Sequence, residues 1–338
     1  MRAASDPHPH LGLRSGPDAD PRRTFCDLHC HSTASDGSDS PAALPRLARE
    51  AGLRTLALTD HDTVAGLADA AAAAGTAGIR FIPGIELSVS PDLRGRATAD
   101  RPPRGTLHLL GYFVDPEHGG LLDLCADLRA DRAARNPAIL ERLAGLGVRL
   151  SMDDVHAAAG SGGDPAAAVI GRPHIAQALV DRGYVRSVHE AFHRYLGAGG
   201  AAFVRRDGLA ADRAIDVLHD AGAVVVLAHP PQLKLSPPEL EQAVAHLTDL
   251  GLDGIEVYHP DLDPAMTRQC LGLAERFRLC PTGGSDYHGS RKSNTLNQCG
   301  VPDTVADALA AYASGTSASA GAGTGPGLGQ DPDQGKPR

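Results

Sequence analysis

Near each end of the chain two metal-ligand side chains stand two positions apart: His29 and His31 in Asp27-Leu28-His29-Cys30-His31, and Asp286 and His288 in Ser285-Asp286-Tyr287-His288. On an extended strand such side chains leave the backbone on one face. Neither pair could hold a cation alone. A fold that uses both must bring the beginning and end of the chain together, and the product would be a cluster of divalent ions rather than one structural ion.

Between these pairs the first half alternates short apolar runs with helical patterns, the mark of strand–helix units. Strands are expected over 24–31, 55–59, 80–82 and 107–113, with helices over 41–51 and 64–74. From 121 to 206 the pattern turns mostly helical and reads as an insert or cap. Alternation then resumes, with strands over 223–228, 254–258 and 279–284 and helices over 211–221 and 264–277. Residues 1–22 are rich in Pro, Asp, Arg and Gly without periodicity, residues 313–338 are low-complexity, and both should be disordered. The expected domain plan is thus a tail at 1–22, a first barrel part at 23–120, the insert at 121–206, a second barrel part at 207–312 and a tail at 313–338.

Ionisable residues repeatedly close the apolar runs. Collected, they are His29, His31, Asp36, His61, Glu86, His108, His229, Asp286 and His288. In a parallel β/α barrel the C-terminal strand ends converge on one rim, which would gather them. Any one of these histidines could be an ordinary core or surface residue, and Asp36 before Gly37 could be a turn. Together they point to metal, because uncompensated ionisable groups are costly to bury. Nitrogen and carboxylate ligands suit manganese, iron or zinc. Cys30, between His29 and His31, should face the other way and pack. The six cysteines form no CxxC pair and are expected to be reduced thiols.

The net charge of −9 excludes a broad basic surface for duplex nucleic acid. Residues 121–206 hold 11 Arg against 9 Asp plus Glu, a balance of +2 that leaves −11 for the remainder. A locally basic insert on an acidic, metal-binding body suits a small phosphorylated substrate. No apolar run approaches the roughly 20 residues of a membrane span, and the N-terminus lacks a signal-peptide core, so a cytoplasmic protein without membrane partners is expected.

The succession DLHCHSTASDGS, LALTDHDTVAG, IPGIELS, LHLLGY, GRPHIA, VLAHP, GIEVYHP and GGSDYHG resembles the polymerase-and-histidinol-phosphatase (PHP) family over roughly residues 24–300. Within it the chain looks most like bacterial nucleoside 3′,5′-bisphosphate phosphatases and their relatives that trim 5′-phosphorylated oligoribonucleotides. The resemblance implies an α/β fold, a distorted (β/α)7 barrel with a helical insert, and three divalent ions, with manganese expected first and iron or zinc as alternatives. It implies His29, His31, Glu86 and Asp286 on a first ion, Glu86 bridging to a second with His108 and His229, and Asp36, His61 and His288 on a third. Glu86, Asp286 and His229 would be the catalytic set, around a metal-bridging hydroxide that attacks phosphorus. The stretch 91–105 departs from the family pattern by lengthening the loop before His108.

Arg135, and Arg172 with His174 in GRPH, resemble family positions that face the substrate phosphate. Arg129, Arg132 and Arg135 also follow helical spacing, which usually marks a solvated face. Asp60 and Asp62 could orient His61, and Asp62, His229 or a water could protonate the leaving group. Tyr258 and His259 could touch substrate or be structural, whereas His8, His10, His156, His189, His193, His219 and His246 are expected outside the site. The expected substrates are a small phosphorylated nucleotide and short single-stranded RNA. The alternatives are histidinol phosphate hydrolysis and a non-catalytic metal module, and the oligomeric state is left open.

Overall fold

The computed structural model describes residues 24–91, 105–160, 169–204 and 208–320. Its strands are β1 (Phe25–Asp27), β2 (Leu53–Leu58), β3 (Arg80–Val89), β4 (Leu107–Tyr112), β5 (Val224–Leu227), β6 (Gly254–Tyr258), β7 (Cys280–Gly283) and β8 (Val301–Pro302). They form one sheet in the order β7-β6-β5-β4-β3-β2-β1-β8. Seven strands make a distorted barrel, and the short β8 pairs antiparallel with β1. The two ends of the barrel meet through the extension of β1. Leu28 N–H donates to Gly283 O at 3.2 Å and His31 N–H to Tyr287 O at 2.8 Å, and Cys30 bridges Tyr287 in parallel.

Strand direction is where the fold departs from the expected parallel barrel. Pairs β1–β2, β2–β3, β5–β6 and β6–β7 are parallel, but β4 runs antiparallel to both β3 and β5. His108 therefore reaches the rim from the beginning of its strand, not from the end. An antiparallel partner needs no crossover helix, which is why the β3–β4 connection carries no helical pattern; its residues 92–104 lie outside those described. The strand β3 is also longer than 80–82, because its first half pairs with β2 and its second half, with Glu86, pairs with β4.

Period-two alternation sorts the strands into two layers. Ala57, Ile82, Leu110, Tyr112, Val224 and Val226 fill the barrel interior. Their neighbours Leu56, Leu58, Ile85, Leu87, Leu109, Val225, Leu227, Ile255 and Val257 face the helices. Glu86, His108 and Glu256 are in phase with the interior set and so project into the barrel at its rim. Cys30 packs fully buried in the helix-facing layer, its Sγ donating to Ala57 O at 3.0 Å.

The outer helices are α1 (Leu44–Glu50), α2 (Leu67–Ala77), α7 (Ala211–Asp220), α8 (Pro237–Asp249) and α9 (Pro264–Phe277), with α10 (Asp303–Ala320) at the end of the chain. Both early helices start three residues later than expected from sequence. For α1 the reason is Pro45, which lacks an N–H and is accommodated only in a first turn. For α2 a turn closed by Leu67 N–H on Val64 O at 3.1 Å comes first, with Gly66 at the N-cap. The backbone is helical to Ala320, past the expected boundary at 312, over an alanine-rich run of high helix propensity.

The regular elements of the described part of the insert are all helical: α3 (Gly119–Gly145), α4 (Met152–Ala159), α5 (Arg172–Asp181), α6 (Val188–Ala191) and a π-turn over Phe192–Leu196. Leu121, Leu124, Cys125 and Leu128 of α3 pack into the barrel's outer layer. Ile139, Leu140 and Leu143 of the same helix join Val155, Ile175, Leu179 and Leu196 in a separate core. One helix is thus shared by two hydrophobic cores, with Arg132 and Arg135 at the crossing. Among the described residues, no helix is long and apolar enough to cross a membrane.

Candidate metal centre

All nine ligand-type residues converge on one rim of the barrel. Glu86, fully buried, is the hub. Its Oε1 lies 2.8 Å from both His108 Nδ1 and His229 Nε2. Its Oε2 lies 3.0 Å from His61 Nδ1, 3.2 Å from His31 Nε2 and 3.4 Å from His29 Nε2. Asp286 Oδ1 is 3.3 Å from His31 Nε2, 3.5 Å from His288 Nδ1 and 3.6 Å from His29 Nε2. Asp36 faces His288 at 3.2 Å, His31 at 3.7 Å and His61 at 3.8 Å.

Local chain geometry explains the convergence. Ser88 pairs with His108 across β3–β4, so Glu86 and His108 are diagonal neighbours on one face. His61 bridges Glu86 in parallel. His229 and Asp286 have positive φ, 26° and 52°, and so does Asp62 at 53°. Non-glycine residues rarely adopt this region, and they concentrate at functional sites. Asp60 organises the loop that carries Asp36: its carboxylate accepts Ser32 N–H at 2.8 Å, Ser32 Oγ–H at 2.6 Å and Ser35 Oγ–H at 2.5 Å. The bonds of Asp60 and Asp62 run to these loops, to Ser88 and to α3, and so place the segments around His61.

The side-chain atoms of five overlapping sets lie close enough to share an ion: His31–Asp36–His61–His288, His29–Glu86–His229, His29–His31–Asp286, His61–Glu86–His108 and His29–Glu256–His259. The Asp36 group matches the expected third set with His31 added, and His29–His31–Asp286 matches the expected first set without Glu86, whereas His29 stands with Glu86 and His229 where His108 is expected and His108 groups with His61 and Glu86. Buried His29 Nε2, His31 Nε2, His61 Nδ1, His288 Nε2 and Glu86 Oε2 have no hydrogen-bond partner despite this crowding. Polar atoms that converge without bonding to one another are arranged around something they share. Nitrogen and carboxylate donors with no thiolate suit divalent manganese, iron or zinc.

Charges alternate through the cluster. Burial opposes protonation of His29 and His31, but the Glu86, Glu256 and Asp286 carboxylates outweigh it; His29 is raised well above its ordinary value and His31 to about 9. His108 and His288 are held down to about 4, first by burial and then by neighbouring positive groups. Burial would raise Glu86, Asp36 and Asp286, yet the surrounding imidazoles, and Lys292 beside Asp286, pull all three well below the carboxylate range.

Glu256 and Lys292 have no role assigned from the sequence, and His259 and Arg132 are left there between alternatives. Glu256 Oε1 sits 3.2 Å from His29 Nδ1 and its Oε2 accepts His229 N–H at 2.7 Å, so one carboxylate fixes a ring and a backbone. Its signal was a charged residue inside the apolar run GIEVY. His259 is 4% exposed, and its Nε2 lies 3.8 Å from Asp286 Oδ2. Lys292 Nζ donates to that same oxygen at 2.7 Å. Arg132 is not solvated: its side chain is 11% exposed and bonds Asp62.

The expected phosphate contacts divide. His174 is buried, its Nδ1 accepts Gly171 N–H at 3.1 Å, and its Nε2 has no partner. Burial holds it down to about 4, so it is a neutral donor. Arg172 instead donates to Leu196 O at 3.2 Å and lies over the Phe192 and Phe203 rings, contacts internal to the insert. Arg135 is partly buried at the crossing on α3. His156, His189 and His193 are exposed, and His8 and His10 lie outside the described residues.

Comparison with known proteins agrees with this geometry. The PHP domain family matches residues 27–197. A 5′-3′ exoribonuclease of Haemophilus influenzae is 33% identical, covering 78% of this chain and 89% of its own length. A phosphoribosyl 1,2-cyclic phosphate 1,2-diphosphodiesterase of Eggerthella lenta is 35% identical, covering 78% and 94%. A 3′,5′-nucleoside bisphosphate phosphatase of Chromobacterium violaceum is 33% identical, covering 78% and 86%. Among solved structures, one described as a metal-dependent phosphoesterase of Bifidobacterium adolescentis superimposes with a TM-score of 0.74 at 32% identity, over 86% of this chain and 96% of that one.

Proposed function

Because this chain belongs to the PHP domain family and is a metal-dependent hydrolase of phosphoric esters, we propose that it removes phosphate from nucleotides. The proposed substrates are nucleoside 3′,5′-bisphosphates first and short 5′-phosphorylated RNA second. The observation that carries this reading is the set of buried ligand atoms that crowd together without hydrogen-bonding. The nine residues fit three divalent ions, with manganese the proposed species. His29, His31, Glu86 and Asp286 would hold the first, Glu86, His108 and His229 the second, and Asp36, His61 and His288 the third, His31 lying close enough to contribute. When bound, such ions neutralise phosphoryl oxygens and acidify water from 15.7 toward about 7.

The chain's own residues supply the rest. Glu86 faces two histidines with one oxygen and three with the other, which suits it to bridge neighbouring ions. Glu256 fixes the tautomer and direction of His29, a support that ligating histidines generally need. Asp286 keeps Oδ1 toward the histidines while Lys292 engages Oδ2. Lys292 beside Asp286 and the neutral His174 near Asp36 and His61 would add fixed donors at the rim, from which a dianionic phosphoryl group gains most. A cluster this buried admits a terminal phosphate end-on more readily than a strand interior. The six free cysteines accord with a cytoplasmic location.

The test is a panel in manganese: adenosine 3′,5′-bisphosphate, histidinol phosphate, phosphoribosyl 1,2-cyclic phosphate and a 5′-phosphorylated RNA tetramer, with phosphate release and bound metal measured together. The bisphosphate should turn over fastest, and Glu86→Ala should lose at least about a hundredfold in kcat/KM. Faster turnover of histidinol phosphate or the cyclic ester would reassign the substrate. No hydrolysis of any of them by a metal-loaded protein would leave a non-catalytic metal module.

A further inference from the structure

Two arginines cross the seam between barrel and insert in opposite directions. Arg132, on α3, reaches into the barrel. Its Nε and Nη2 donate to Asp62 Oδ2 at 2.9 and 2.5 Å, and Nη2 also donates to Ser88 Oγ at 2.7 Å. Asp62 is fully buried. Its Oδ1 accepts Ser88 N–H at 2.7 Å, and its own N–H donates to Glu86 O at 2.9 Å. Arg291, on the loop after β7, reaches out to the insert, where its Nη2 donates to Ala158 O and Ala159 O at 3.1 and 2.7 Å. These are carbonyls at the end of α4, where a helix is electronegative and poor in partners.

The barrel ends of the two clamps are not arbitrary. Asp62 directly follows His61, and Arg291 comes three residues after His288. The clamped loops are therefore the ones that deliver His61 and His288 to the His31–Asp36–His61–His288 group. One strut would leave the insert free to pivot, whereas two at separate points fix its orientation. Gly171 belongs to the same device: a Cβ there would lie 2.9 Å from Arg132 Nη1, so glycine at the cap lets α5 abut the guanidinium without displacing it.

We propose that Arg132 and Arg291 are positioning residues that couple the seating of the helical insert to the His31–Asp36–His61–His288 group. Filling the group with a divalent ion tightens the insert, and a loosened insert weakens the group by the same factor, since coupling between two sites is reciprocal. The coupling rests on the reading of that group as a metal site; the clamps themselves do not.

The experiment uses the full chain, wild type and two variants, Arg132→Lys and Arg291→Gln. Lysine leaves Asp62 a cation but not the paired nitrogens, so the buried carboxylate is not stranded. Amide exchange is followed in insert peptides over 139–159 and 172–196, first without metal and then with Mn²⁺, and Mn²⁺ binding is measured by calorimetry. Without metal, both variants should exchange these insert amides about tenfold faster than wild type, with peptides of β5 and β6 unchanged. With metal, wild-type insert exchange should slow, and the weakest Mn²⁺ site should lose about tenfold in affinity in each variant. KM for a phosphate ester should rise more than kcat falls.

Wild-type exchange rates in both metal-free variants would overturn the clamps, whatever the metal result. Faster exchange with unchanged Mn²⁺ affinity would overturn the coupling. Absence of Mn²⁺ binding in wild type would remove the coupling together with the metal reading, while the metal-free exchange still reports on the clamps.

Discussion

His31 and His288 have ring centroids 4.1 Å apart, yet one is raised to about 9 and the other held down to about 4. For metal-free protein the pH dependence has a definite sign. His31 contributes stability that is complete below about 6.5, the value of an unfolded histidine, and is lost as pH climbs through about 9. His108, His174 and His288, each near 4, act in the other direction. The unfolded chain binds their protons below about 6.5 and the folded chain does not, so stability falls from there toward 4. The metal-free Tm should therefore peak near pH 6.5, and added Mn²⁺ should flatten the alkaline decline by holding His31 deprotonated. A metal-free Tm that climbs steadily from pH 5 to 9 would contradict this. At this scale much was legible in the sequence, because a histidine or carboxylate after an apolar run is conspicuous. Arg132 was not, since three arginines at helical spacing read the same whether the face meets water or another layer. Lys292 lacked any local pattern, and His259, though it follows an apolar run, read equally as a substrate contact or a structural residue.

Among the elements, β4 shows what periodicity omits. The apolar run Leu107–Tyr112 marks a strand but carries no direction, and direction decides which end of β4 meets the rim. Helix starts were misplaced for a local reason, the constraint Pro45 sets on α1, which becomes clear only once the preceding turn is seen. The end of β7 offers a direct test. A Cβ at Gly284 would lie 2.4 Å from both the N and Cβ of His29, so Gly284→Ala must push β7 and the β1 extension apart. It should cost about 1–3 kcal/mol of stability, measured by urea unfolding, and weaken Mn²⁺ binding in parallel. Unchanged stability and affinity would mean that the β1–β7 contact does not organise the centre.

For the whole molecule, the pairing of the first and last metal-ligand motifs was legible because both had to serve one cluster. The second core inside the insert was not, because its apolar residues are spread over four helices and follow no single period. Since ligands come from both sides of the β1–β7 closure, removing metal should loosen the barrel as well as stop hydrolysis. At a hundred times its Kd each ion contributes about 2.7 kcal/mol, or about 4–5 °C in Tm for a chain of this size. Chelation followed by calorimetry should show a loss of that order per ion, and a Tm insensitive to chelation would remove any role for metal in closure.

The closing contacts of Leu28 with Gly283 and of His31 with Tyr287 also set an order in time. His29, His31, Asp36, His61, Glu86 and His108 are all synthesised in the first third of the chain, but the His29–His31–Asp286 and His31–Asp36–His61–His288 groups wait for the last strand. A ribosome-bound chain that has not yet released Asp286 and His288 cannot complete either group. Under the proposed ligand assignment, loading of these two groups would wait until Asp286 and His288 have left the ribosome, after the insert's own core has had the chance to form.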